Sequence, residues 1–325
     1  MNVQDTVHNY FLEGKTLAKV KKFSLWVFTA LAAFVLAACG ADNGADDNGT
    51  ADEGDNGNGD TPDELVLGFV VSSDAENIQD NADPIAEYLS EELGIDVTAN
   101  VVGDYSGLVE SMVSGQTHIG FLPPVAYVQA TDAGDVEVIG KAVRHGAGTY
   151  VAQYVVDADS GIESVDDLIE NDGYTWAFPG QTSTSGFIFP GLEFIEGGVE
   201  DLDTHFDLLE AAPHDAAIIA VLDGQADFAT TFDDARTNLE DEFEDIYETT
   251  EVIGHTSEIP NDTISLYGGL PDDLKEDIRA AVLDMDEDAL AMIHEIYEWD
   301  EIEEADDAEF DIVRDAYAEF QDLMD

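Results

Sequence analysis

From residue 65 onward the apolar positions alternate between short runs of strand period and longer runs of helical period. Leu65 to Val71 is almost continuously apolar, as expected of a strand buried on both faces. Asn81 to Leu93 sets Ile85, Leu89 and Leu93 on one helical face and stops at Gly94, a residue suited to the left-handed turn that ends helices. Ile95 to Val102 alternates as a second strand, Tyr105 to Ser114 is again helical, and His118 to Leu122 is a short strand closed by Pro123 and Pro124. A helix over Ala126 to Ala130 and a strand over Val136 to Val143 complete a first series.

The second series begins with a strand over Tyr150 to Val156 and a short helix opened by Ser164. A strand over Tyr174 to Phe178, a helix over Gly186 to Glu196 and an extended piece over Phe206 to Leu209 follow. Next come a helix over Asp215 to Leu222, a strand over Ala226 to Thr230, extended pieces over Tyr247 to Val252 and Thr263 to Tyr267, and an almost wholly helical end from Leu270. Strands alternating with helices predict an α/β protein of mostly parallel sheets flanked by helices. The folded length exceeds what one core usually serves, which predicts two lobes.

The first 60 residues read differently. Lys19, Lys21 and Lys22 precede an apolar run from Phe23 to Ala38 that ends in Leu-Ala-Ala-Cys-Gly, the form of a secretory signal over 1–39. Cys39 stands where a lipoprotein signal peptidase would leave a lipid-modified terminus, and as the single cysteine it can form no internal disulfide. Residues 40–64 are mostly Gly, Asn, Asp, Ala and Glu, and predict a disordered acidic tether. Together these segments place the folded part outside the cytoplasm, held to the membrane by a lipid.

Charge narrows the partners. With 74 acidic and 10 basic residues the formal net charge is −64, which excludes attraction to nucleic acid or to anionic membrane surfaces. The 44% apolar content argues for folding despite that charge, with a solvated surface suited to high salt. The histidines show no metal-binding spacing, and no cofactor motif is present.

Candidate chemistry centres on Gln181 to Gly186, QTSTSG, between the run ending at Pro179 and the helix that follows. Hydroxyls at a helix start, beside amides with no intrahelical partner, can hold an anion. An N-cap on an ordinary helix is the plain alternative. Read with DYSGLVESMVSGQTHIGFLPPVAYVQA (Asp104 to Ala130), HDAAIIAVLDGQADFATT (His214 to Thr231), IPNDTI (Ile259 to Ile264) and LPDDLKEDIRAAVLDM (Leu270 to Met285), the run resembles the phosphate, phosphite and phosphonate receptors of bacterial ABC importers, the PhnD-type periplasmic-binding proteins.

That resemblance implies a type II periplasmic-binding fold whose two lobes are joined by a hinge crossed twice, near Tyr150 and near Ile259. The first lobe would take 65–149 and, after the return, 259–325 with the C-terminal helices; 150–258 would form the second. It implies a monomer that binds a phosphorus oxyanion between the lobes and presents it to a membrane permease, with no reaction and no cofactor. Ser183, Thr184 and Ser185 inherit the oxyanion contacts, His214 the anion-contacting histidine, and Tyr105 and Tyr127 two pocket tyrosines, though core packing also accounts for Tyr127. Asp234 and Asp262 fall near positions where aminophosphonate-binding members place carboxylates around an ammonium group. Near a dianion the charged form of His214 would be favoured, so affinity is expected to fall above neutral pH. Lys141, Arg144 and His145 form a basic cluster expected to moderate the field at the lobe junction without touching ligand. Three other readings stay open at this point: a receptor for a membrane sensor, a binder of another oxyanion such as a sulfonate, and a hydrolase using Ser185 and His214.

Overall fold

The computed structural model describes residues 61–71 and 75–324; the signal segment, Cys39 and the tether as far as residue 60 lie outside them. The chain runs through β1 (Glu64–Val70), α1 (Ala75–Leu93), β2 (Asp96–Val102), α2 (Tyr105–Val113), β3 (Ile119–Leu122), α3 (Pro124–Ala133) and β4 (Val136–Val143). It continues through β5 (Thr149–Tyr150), β6 (Ala152–Asp157), α4 (Val165–Glu170), β7 (Thr175–Phe178), α5 (Phe189–Glu196), α6 (Leu202–His205), β8 (Asp207–Glu210), α7 (His214–Leu222) and β9 (Phe228–Phe232). The remainder comprises α8 (Ile246–Thr249), β10 (Thr250–His255), β11 (Ile259–Pro260), β12 (Thr263–Tyr267), α9 (Asp272–Leu283), α10 (Glu287–Tyr297), β13 (Glu301–Glu303) and α11 (Asp311–Met324).

The strands form a sheet in the order β13-β4-β12-β3-β1-β2, a second in the order β10-β6-β9-β7-β8, and a small ribbon of β5 with β11. All described residues belong to one compact unit, Gly54–Asp325. In β1, Leu65, Leu67 and Phe69 point to a core shared with Ile85 and Leu89 of α1 and Ile278 and Ile293 of the C-terminal helices. Val70 lies in the core on the opposite side, with Leu108 and Met112 of α2 and Val125 and Val128 of α3. This sheet is therefore covered on both faces, and Gly94, at φ 65°, ends α1.

Both sheets are mixed, where the sequence pattern had predicted mostly parallel ones. β1 pairs in parallel with β2 and β3, and β7 with β8 and β9, because helices bridge those strands. The strand that arrives from the other sheet reverses the sense. β12 enters between β3 and β4 antiparallel to both, and β6 enters between β9 and β10 antiparallel to both.

The chain leaves the first sheet after β4 and comes back to it with β12, and the crossing segments β5 and β11 pair with each other, Tyr150 opposite Ile259. A third link comes from α11, which packs on α3 and α5: Tyr317 accepts from Gln129 Nε2 at 2.8 Å and Phe320 meets the Phe187 ring edge-on at 5.7 Å. The C-terminal part is not wholly helical, since Glu301–Glu303 pairs with β4 as an edge strand. Three residues, two of them glutamate, carry no visible strand period, yet charge is what an exposed sheet edge favours.

Candidate functional site

Three helices start at one small cavity. Tyr105 is the first residue of α2, whose N-cap Asp104 accepts from Gly107 N at 2.8 Å. His214 is the first residue of α7. Thr184–Ile188 forms a wide opening turn ahead of α5, with Ile188 N and Phe189 N reaching back five residues to the carbonyls of Ser183 and Thr184. Ser183 Oγ accepts from Gly186 N at 3.1 Å, and no backbone carbonyl accepts from the Thr184 or Ser185 amides. Helix starts, where peptide dipoles leave partial positive charge, thus meet at this cavity, and they can attract an anion even in so acidic a chain.

Ser183, Thr184, Ser185 and His214 are buried and line this cavity with Tyr105, Arg144, Tyr150, Asp262 and Tyr297. The cavity lies between the two sheets' helices, and hydrogen bonds cross it. The Tyr105 hydroxyl lies 3.4 Å from His214 Nε2, and Val125 N, in the first turn of α3, donates to Thr184 Oγ1 at 3.0 Å. Ser183 lies against the Tyr105 phenol, and Ser185 against that of Tyr150. Burial, aided by the Asp262 charge, pushes the Tyr105, Tyr150 and Tyr297 phenols well above their usual range, so all three remain O–H donors.

His214 is a fully buried imidazole in this cavity. Burial, with the Arg144 charge adding to it, pushes the imidazole down to about 3, so the ring is neutral at every physiological pH. Without a dianion beside it, the imidazole therefore carries no charge. A neutral ring can still donate. In the tautomer with hydrogen on Nδ1, Nε2 accepts from the Tyr105 hydroxyl and Nδ1–H, buried and otherwise unpartnered, is free for a ligand.

Asp262 lines the cavity, and burial raises its carboxyl to about 6 against the opposing Arg144 charge. A carboxyl raised on folding contributes stability fully below its unfolded value and loses it as pH rises through the folded one. Well above pH 6 the ionised Asp262 thus costs on the order of 3 kcal/mol. Asp262→Asn is expected to raise the melting temperature at pH 8 and to leave it nearly unchanged at pH 4. Equal shifts at the two pH values in thermal melts would refute this.

Two sequence candidates lie elsewhere. Tyr127, four residues into α3, turns away from the cavity: its hydroxyl donates to Asp307 Oδ1 at 2.7 Å and its ring meets Phe310 edge-on at 5.0 Å. It lines a separate surface recess with Asp307 and Arg314. Asp234 pairs with Arg236, Nη2 to Oδ2 at 2.7 Å, and accepts from Gln153 Nε2 at 2.9 Å. Burial alone would raise its carboxyl, but these donors hold it below the usual range. The basic cluster also divides. Lys141 pairs with Glu303 and Glu309, whereas Arg144 lines the cavity. Tyr150 and Tyr297, which the sequence does not single out as site residues, also line the cavity.

Comparison with known proteins agrees with the geometry. The phosphate-import protein PhnD of Mycolicibacterium smegmatis is 26% identical over 181 residues, 53% of this chain and 56% of that protein. The phosphonates-binding periplasmic protein of Escherichia coli is 25% identical over 217 residues, 66% of this chain and 64% of that one. The chain thus matches less than two thirds of the length of either relative. The solved structure of PhnD1 from Prochlorococcus marinus in complex with methylphosphonate shares the fold, with a TM-score of 0.71 at 17% identity over 80% of this chain and 99% of that one. The family described as "ABC transporter, phosphonate, periplasmic substrate-binding protein" matches residues 67–310. Since that match takes in most of the sequence, the chain belongs to the phosphonate-binding periplasmic substrate-binding proteins of ABC transporters.

Proposed function

We propose that this chain is an extracytoplasmic receptor that closes its lobes over a small phosphorus oxyanion and presents it to an ABC permease. It acts as a monomer, anchored through a lipid on Cys39, and catalyses no reaction. The lobes are 65–149 with 259–325, and 150–258. One observation carries the reading: Tyr105, the Ser183 to Ser185 run and His214 face a single enclosed space from three helix starts. That space is about 60 Å³. At roughly 10–15 Å³ per water it accommodates about five heavy atoms, the size of phosphate, phosphite or methylphosphonate. Methylphosphonate is also what the PhnD1 structure of the same fold holds.

Hydrogen bonds across the cavity tie α2 and α3 to the Thr184 turn and α7, so a ligand bridging the same donors would favour the closed arrangement. A hydrolase is disfavoured by His214, whose Nδ1 has no carboxylate to orient it and whose neighbour is the Arg144 cation. Ser185→Ala is expected to weaken phosphorus-oxyanion binding about 10- to 30-fold, the value of a hydrogen bond to a charged group. Calorimetry with methylphosphonate, phosphite, phosphate, 2-aminoethylphosphonate and sulfate at high salt reads this. No binding of any phosphorus oxyanion, or a preference for sulfate, would overturn the proposal.

A further inference from the structure

We propose that Arg144 is itself a ligand-binding residue, and that it fixes the ligand class as a compact phosphorus oxyanion carrying no ammonium group. The inference rests on reading the cavity as an anion site and adds a residue and a selectivity to it. Among the described residues two buried side-chain nitrogens have no hydrogen-bond partner, Arg144 Nε and His214 Nδ1, and both residues line the same cavity. Leaving such groups unpaired is costly, and one acceptor placed between them would satisfy both.

The guanidinium is already oriented. Its Nη2 donates to Glu298 Oε2 at 3.1 Å and its plane centre lies 5.0 Å from the Phe232 ring centroid, so the Nε edge is held rather than free to rotate. Phe232 also packs edge-on against His214 at 4.8 Å, so both residues that carry the unpaired nitrogens pack on the same ring. Arg144 is the cation that faces this cavity, and it supplies a charge independent of pH, where neutral His214 supplies none.

The same arrangement disfavours a zwitterion. An ammonium group needs carboxylates around it, and Asp234 is committed to Arg236 and Gln153 outside the cavity. Glu298 is held by Arg144 itself. That leaves Asp262, close enough to Arg144 to feel its charge, so an ammonium there would sit beside a guanidinium.

Calorimetry on the purified chain with methylphosphonate and 2-aminoethylphosphonate tests this. The unaltered protein is expected to prefer methylphosphonate by about tenfold or more. Arg144→Gln is expected to weaken methylphosphonate about 10- to 100-fold and to collapse the preference, with thermal melting confirming the fold. Arg144→Lys keeps the charge but not the Nε–H, and is expected to lose about fivefold or more; it decides the matter if the glutamine variant does not fold. Unchanged methylphosphonate affinity in Arg144→Gln or Arg144→Lys, or a preference for 2-aminoethylphosphonate in the unaltered protein, would overturn the inference. Ser185→Ala separates the two levels: if it weakens binding while Arg144 variants do not, the anion site stands and the role of Arg144 falls.

Discussion

Gly186→Val is expected to remove measurable oxyanion binding and to cost the fold about 1–3 kcal/mol. A Cβ at this position would collide with the Pro179 ring and, at 2.7 Å, with Ser183 Oγ. Neither neighbour can yield cheaply. Pro179 is a ring at the end of β7, and Ser183 Oγ is held by the Gly186 amide it accepts from. The backbone of the turn would therefore have to shift, and it would take with it Thr184 and Ser185, which line the cavity. Valine adds branching at the same carbon and so excludes the small adjustments alanine could find. Titration calorimetry should show no heat at ligand concentrations that saturate the unaltered chain, and urea unfolding should show a lower midpoint with unchanged slope. Near-normal affinity would mean that the turn does not hold the ligand.

How far the sequence discloses this site depends on how local each residue's setting is. The hydroxyl run, His214 and Tyr105 were legible because each stands at a helix start, and a helix start can be read from the few residues around it. Tyr127 also lies in the first turns of a helix, but which side of α3 it faces depends on the turn Asp307–Phe310, ahead of α11, which comes to it from the C-terminal part. Asp234 is claimed by Arg236 two residues later, a local pairing that only the geometry of the turn decides. The place of Arg144 in the cavity wall was not legible, because what holds it there, Glu298, is 154 residues away. The alternation of strands and helices disclosed an α/β fold, but not the sense of β6 and β12. A strand arriving from the other lobe has the same period as one arriving by a crossover helix.

Trp176→Ala is expected to cost about 3–5 kcal/mol of stability and also to weaken the oxyanion, although the ring touches no ligand. Trp176 is fully buried in β7, between Phe187 at 5.0 Å and Phe228 at 5.8 Å, both stacked, with Phe194 and Phe206 set edge-on. Removing it opens a cavity walled by rigid rings that cannot collapse into it, which puts the loss at the high end for core truncation. The indole N–H donates to Thr230 Oγ1 at 2.6 Å, and the Thr230 hydroxyl in turn donates to the Gly186 carbonyl. The chain from indole to hydroxyl to carbonyl thus pins the ligand turn to the core of its own lobe, and Phe187, the residue after Gly186, is pinned by stacking on the same indole. Losing both supports loosens the turn, so donors must be ordered by the ligand at the moment of binding, a cost that appears as weaker affinity. Trp176→Phe separates the two contributions: it keeps most of the stacking and removes the N–H, so most of the stability should survive while oxyanion affinity still falls. Full affinity in Trp176→Phe would show that stacking alone positions the turn and that the hydrogen-bonded chain is incidental to binding.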